Sequence, residues 1–203
     1  MGDTSQYSQL VRSSSLVMEK GRVIIVGNSP NVIQHNNGHL IDKYDTVIRL
    51  GDTSDKYCIH VGAKTDILCT RWARCAHNNT NIRTFWFPYL PKMFEPENAS
   101  IAGVEMVYME PETYGNVCEQ LKIGELGIIP TLGFGSIRMA LDLFKDDIID
   151  VTGFTLDVLD EHFSKGEYWD INCKRDNDRH NLVGEALEIK RLLRNNRIRY
   201  KYF

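Results

Sequence analysis

The sequence predicts an α/β layered domain built on a mostly parallel sheet. Two observations carry that prediction. Short β-branched and aromatic runs alternate along the chain with segments whose apolar residues recur at helical spacing. The first run, Val23–Val26, is apolar at four successive positions and stops at Gly27, as a strand buried on both faces does.

The strands follow in order. Arg22–Val26 is the first. Asp45–Leu50 and Thr65–Cys69 come next, then Arg83–Phe87, Glu105–Met109 and Ile148–Val151. Ile198–Phe203 alternates and is expected as an edge strand. Between them, Gly135–Phe144 sets Ile137, Met139, Ala140, Leu141 and Phe144 along a core-facing stripe. Leu182, Ala186, Ile189 and Leu193 recur at i, i+4, i+7 and i+11, an amphipathic helix for which Asn181 serves as N-cap. Residues 89–103 and 155–179 are irregular and long, which suits loops that build a site.

At 203 residues the chain is long enough for one domain. Residues 1–20 carry Ser13-Ser14-Ser15 and little apolar periodicity, so a flexible arm is expected there and the domain proper over 21–203. Hydrophobic residues make up 42% and charged residues 25%, a globular mix. A net charge of −3 excludes a nucleic-acid binder that works by bulk charge. No apolar run suits a membrane span or a secretory leader. Five cysteines, with no CxxC pair, argue against a disulfide framework or a zinc ribbon. A cytoplasmic protein without a membrane span is the expectation.

Three places offer chemistry. Gly27-Asn28-Ser29-Pro30-Asn31 follows the first strand, where α/β sheets bind ligands. Asn28 and Asn31 each donate and accept, which suits a base, ribose or phosphate. The same residues also make an ordinary capped turn. Pro130-Thr131-Leu132-Gly133-Phe134-Gly135-Ser136 reads as a Gly-rich loop leading into the helix over Ile137–Phe144, whose free N–H groups and dipole suit an anion; the Lys of a P-loop is absent, and a plain glycine turn reads equally well. His180 lies just before the last helix and Glu185 in its first turn, so a carboxylate can orient the imidazole as a general base, or both are merely helix-start residues. No HExxH or Asp-x-Asp pattern and no GxSxG elbow occurs.

The order of these motifs is more specific than any one of them. VIIVGNSPNV…IDKYDTVIRLGD…VGAKTDILCTR, from Val23 to Arg71, resembles the large sialylmotif of the sialyltransferase family. PTLGFGSIRMALDLFKDDIIDVTGF, from Pro130 to Phe154, resembles the small sialylmotif, and His180-xxxx-Glu185 the very small one. Gly-Asn-Ser-Pro is also similar to the opening of a bacterial sialyltransferase family. The resemblance implies a single Rossmann-like domain, a sialyltransferase-like variant of the GT-A glycosyltransferase fold. It implies an inverting enzyme, independent of metal and of any cofactor, that moves an acidic sugar (sialic acid or Kdo-like) from a CMP-sugar to a glycan hydroxyl. The partners implied are the nucleotide sugar and the glycan acceptor.

Carried over by motif, Asn28, Ser29 and Asn31 contact the nucleotide. Thr131, Leu132 and Gly133 hold ribose and phosphate through backbone groups, and Gly153 and Phe154 border the cytidine. His180 takes the acceptor proton with Glu185 behind it. His162 assists the leaving phosphate, with Lys165 as the alternative. The chain departs from the family at several positions. Its two motif cysteines fall on Val23 and Phe144, its Asn after the Ile-Arg strand on Gly51, and its Tyr before the Pro-Thr turn on Ile129. These departures leave open the same fold with another nucleotide-sugar donor, or a nucleotide-binding protein without transferase activity.

Overall fold

The computed structural model describes residues 21–51, 57–70, 82, 84–88, 104–123, 128–157 and 180–203. The expected arm at 1–20 lies outside them. Seven strands form one sheet: β1 (Val23–Val26), β2 (Thr46–Leu50), β3 (Ile67–Cys69), β4 (Thr84–Phe87), β5 (Glu105–Tyr108), β6 (Ile149–Thr152) and β7 (Ile198–Tyr200). All seven fall where the sequence places them; six are shortened by a residue or more at one end, and β6 is shifted one residue toward the C-terminus. Their order is β5-β4-β3-β2-β1-β6-β7, and every described pairing is parallel. The expected edge strand at the C-terminus is β7, parallel to β6.

A parallel sheet needs cover on both faces, and the strand residues alternate accordingly. Val23 and Ile25 of β1 join Ile48, Ile67, Trp86 and Val151 in the larger core. Helices α3 (Pro111–Leu121), α4 (Leu132–Leu143) and α5 (Leu182–Arg194) supply the other side of that core. Ile24, Val26 and Val47 face the opposite way, against the short helices α1 (Gly38–Ile41) and α2 (Cys58–Val61). Helix α3 is absent from the sequence expectation. Its signal was present: Pro111 at the first turn, Glu112 beside it, and Tyr114, Val117 and Leu121 buried along one face.

The motif residues of β2 and the turn before β3 are structural partners. Arg49 is buried in β2, and its guanidinium donates to Lys64 O at 2.9 Å, Thr65 Oγ1 at 3.1 Å and Val61 O at 2.7 Å. Burial pulls its pKa down to about 10, against the opposing pull of Asp42 and Asp66. Arg49 thereby ties the α2–β3 turn to the sheet, because a buried cation must find acceptors for its donors. At the positions where the family has its disulfide, Val23 and Phe144 are both packed in the larger core. Among the described residues Cys58, Cys69 and Cys118 are free thiols, and no helix is long and apolar enough to cross a membrane.

Candidate active site

The chain winds outward from β1 to β5, then crosses back to lay β6 against the other side of β1. The strand order therefore reverses between β1 and β6, and ligands of open α/β sheets bind beyond the strand ends at such a point. The loops leaving β1 and β6 meet there. Gly27 N donates to Thr152 O and Ser29 N to Gly153 O, each at 2.8 Å, and the Ser29 and Thr155 hydroxyls lie 2.6 Å apart. The contact is too tight for side chains: a Cβ on Gly27 would stand 2.3 Å from Gly153 O, and one on Gly153, at φ +71°, 2.5 Å from Gly27 O.

A cleft opens at this junction. Gly27, Asn28 and Ser29 line one wall, Gly153 to Leu156 a second, and Thr131 to Phe134 with His180 and Glu185 a third. Asn28 donates to Leu50 O at 3.1 Å, pinning the β1 loop to the end of β2. It stands close to Gly51, where a Cβ would lie 3.9 Å from Asn28 Nδ2.

The His-xxxx-Glu spacing acquires a physical meaning here. The strap Ile129-Pro130-Thr131 precedes α4, and the start of α5 grips it at both ends. His180 Nδ1 lies 2.7 Å from Ile129 O. A carbonyl only accepts, so Nδ1 carries the hydrogen and, in the neutral ring, Nε2 carries the lone pair. Glu185 is 5% exposed; its carboxylate accepts from Thr131 N at 2.8 Å and from Thr131 Oγ1 at 2.5 Å. Thr131 Oγ1 in turn caps α4 by accepting from Phe134 N at 3.1 Å. Asn181 caps α5 by accepting from Gly184 N at 3.0 Å and holds Leu121 O at 2.8 Å.

Residues 18–88 match the family model for glycosyltransferase family 29 (sialyltransferase). Two crystal structures of a mammalian sialyltransferase share the fold, one of them in complex with Gal-beta-1-3GalNAc-ortho-nitrophenol. Each has a TM-score of 0.64 and 20% sequence identity, over 90% of this chain and 69% of theirs. The family match thus covers about a third of the chain, and the likeness to the crystal structures is one of fold. No curated protein matches the chain by sequence.

Of the site residues expected from the sequence, the cleft brings together Asn28, Ser29, Thr131, Leu132, Gly133, Gly153, Phe154, His180 and Glu185. Asn31 is placed elsewhere. Ser29 caps a 3-10 turn over Pro30–Ile33, which carries Asn31 to a neighbouring hollow beside Tyr200 and Tyr202. His162 and Lys165 lie outside the described residues. Two expectations change in detail. Helix α4 begins at Leu132, so Gly133 and Gly135 belong to the helix rather than to a preceding loop; a Cβ on Gly133 would lie 2.9 Å from the Phe154 ring. The Thr131 N–H serves the Glu185 clasp, and the backbone donors left at the helix start for an anion are those of Leu132 and Gly133. Sequence reasoning missed the Ile129 carbonyl and the Thr155 hydroxyl. Thr155 had a signal, a hydroxyl next to Gly153-Phe154; a backbone acceptor has none.

Proposed function

We propose that this domain transfers an acidic sugar, of the sialic acid or Kdo type, from a CMP-sugar to a glycan hydroxyl, with inversion and without a metal. The observation that carries the reading is His180, fixed through Nδ1 on the wall of the switch-point cleft between the Asn28-Ser29 and Thr131–Gly133 turns. The nucleotide lies across the junction of the β1 and β6 loops. Asn28 and Ser29 face its polar groups, Phe154 borders the base, and the Leu132 and Gly133 N–H groups favour the phosphate at the positive end of α4.

In the transfer step the acceptor O–H proton passes to Nε2 of His180 while the acceptor oxygen bonds the anomeric carbon. The anomeric C–O bond to phosphate breaks on the opposite face, and its electron pair leaves with CMP. One base and a direct displacement suffice, so no covalent sugar–enzyme intermediate is required. His162 is the residue proposed to assist the departing phosphate. Among the described residues no group of three or more His, Cys, Asp or Glu side chains is arranged to hold a metal ion.

A thermal-shift panel of CMP, UMP, GMP and AMP tests the donor. A ligand at about 100 times its Kd stabilises by ~2.7 kcal/mol, so CMP should raise Tm clearly above the rest. Transfer from a CMP-sugar should then persist in EDTA. Equal shifts for all four nucleotides would sink the CMP assignment, and a strict metal requirement would overturn the metal-free step.

A further inference from the structure

Phe154 is the residue of the cleft held most indirectly. It follows Gly153 just beyond the end of β6. Its backbone is held on both sides by one side chain: the Tyr200 hydroxyl accepts from Phe154 N at 3.2 Å and donates to Phe154 O at 2.8 Å. Tyr200 reaches it because β7 runs parallel beside β6 with Tyr200 opposite Val151, and the two side chains pack in the same core. Burial pushes the phenol up to about 12, so the hydroxyl keeps the proton it donates. On its other side the Phe154 ring packs on both phosphate-side turns. A Cβ added to Gly133 would lie 2.9 Å from that ring, and one on Gly27 3.1 Å.

A phenylalanine at position 200 would fill the same space and hold nothing. The hydroxyl supplies the link from the C-terminal strand to the cleft wall. We infer that Tyr200 is a positioning residue for the nucleotide: its hydroxyl fixes the Phe154 backbone, which sets the ring against Gly27 and Gly133 and so shapes the wall that borders the base. This rests on the nucleotide reading above. It goes beyond it by giving β7, whose residues do not line the cleft, a function in donor affinity.

Tyr200→Phe removes the hydroxyl and keeps the packing. CMP affinity, measured by titration calorimetry on the full chain, should fall about tenfold, the scale of losing a paired hydrogen bond and leaving a backbone N–H unmatched. kcat at saturating donor should stay within about twofold, so the change appears in donor KM. In a Phe154→Ala background the same substitution should change CMP affinity by less than about twofold, because the ring that transmits the effect is gone. Amide exchange at Phe154 should quicken about tenfold or more in Tyr200→Phe while the β6 amides hold their rates; this arm needs no ligand. Unchanged CMP affinity in Tyr200→Phe, or an equal loss in the Phe154→Ala background, overturns the positioning role. Unchanged exchange at Phe154 overturns the clamp itself. Failure of the wild type to bind CMP defeats the nucleotide reading instead, and the exchange result then decides the clamp alone.

Discussion

Replacing Glu185 by Gln separates two roles that a carboxylate near a histidine can play. In the structure both oxygens of Glu185 receive hydrogen bonds from Thr131, one from N at 2.8 Å and one from Oγ1 at 2.5 Å. Gln keeps the size and one carbonyl acceptor for the Thr131 N–H. Its amide nitrogen replaces the other oxygen and can only donate, so the Thr131 hydroxyl proton loses its acceptor. A hydrogen bond to a charged group contributes about 1.5–3 kcal/mol and a neutral one about 0.5–1.5 kcal/mol. The exchange therefore costs about 1–2 kcal/mol at this buried site. For a domain of this size each kcal/mol moves Tm by about 2–4 °C, so a fall of roughly 2–8 °C is expected. Thr131→Val removes the same bond together with the α4 cap. Combined with Glu185→Gln it should cost less than the sum of the two, by about 1 kcal/mol, because both sever one link. Urea denaturation of the four proteins measures this. Turnover of Glu185→Gln should fall between wild type and His180→Ala, since the strap it loosens carries the Ile129 carbonyl that orients His180. Strict additivity would refute the clasp. So would wild-type stability joined to a shifted pH–rate profile, which would put Glu185 on the imidazole and not on Thr131.

Three further outcomes are expected. His180→Ala should lower kcat by about 10²–10⁴-fold with CMP affinity little changed, because the base faces the acceptor; near-wild-type turnover would remove the catalytic assignment. His162→Ala should instead slow transfer and weaken CMP binding together. Gly153→Ala places a Cβ 2.5 Å from Gly27 O at φ +71°, so it should cost at least about 2 kcal/mol in urea denaturation. A neutral result would mean that the β1 and β6 loops are free to part.

The strand set was legible in the sequence because burial on both faces leaves a mark that needs no partner to be seen. Val23–Val26 is apolar at every position, and β-branched or aromatic runs between turn residues mark the rest. The cap Asn181 is equally local, since a side chain bonding an N–H three residues on depends only on its own sequence neighbourhood; Thr131 caps in the same way but was not legible as a cap, because the glycines after it point to a loop. The candidate site was legible as an ordered set of motifs, and nine of its eleven named residues do line one cleft. What linked them was not legible. That β6 lies against β1, and not beyond β5, is a choice of sheet order, and only that choice brings Gly153 onto Gly27. The partner of Glu185 is 54 residues away in the chain and that of His180 is 51, one of them a backbone carbonyl that any residue would provide. The Tyr200 hydroxyl meets Phe154 only because β7 takes the edge beside β6. Local hydrogen bonds and burial periodicity are written along the chain; which distant donor meets which acceptor is decided by the packing of the whole sheet.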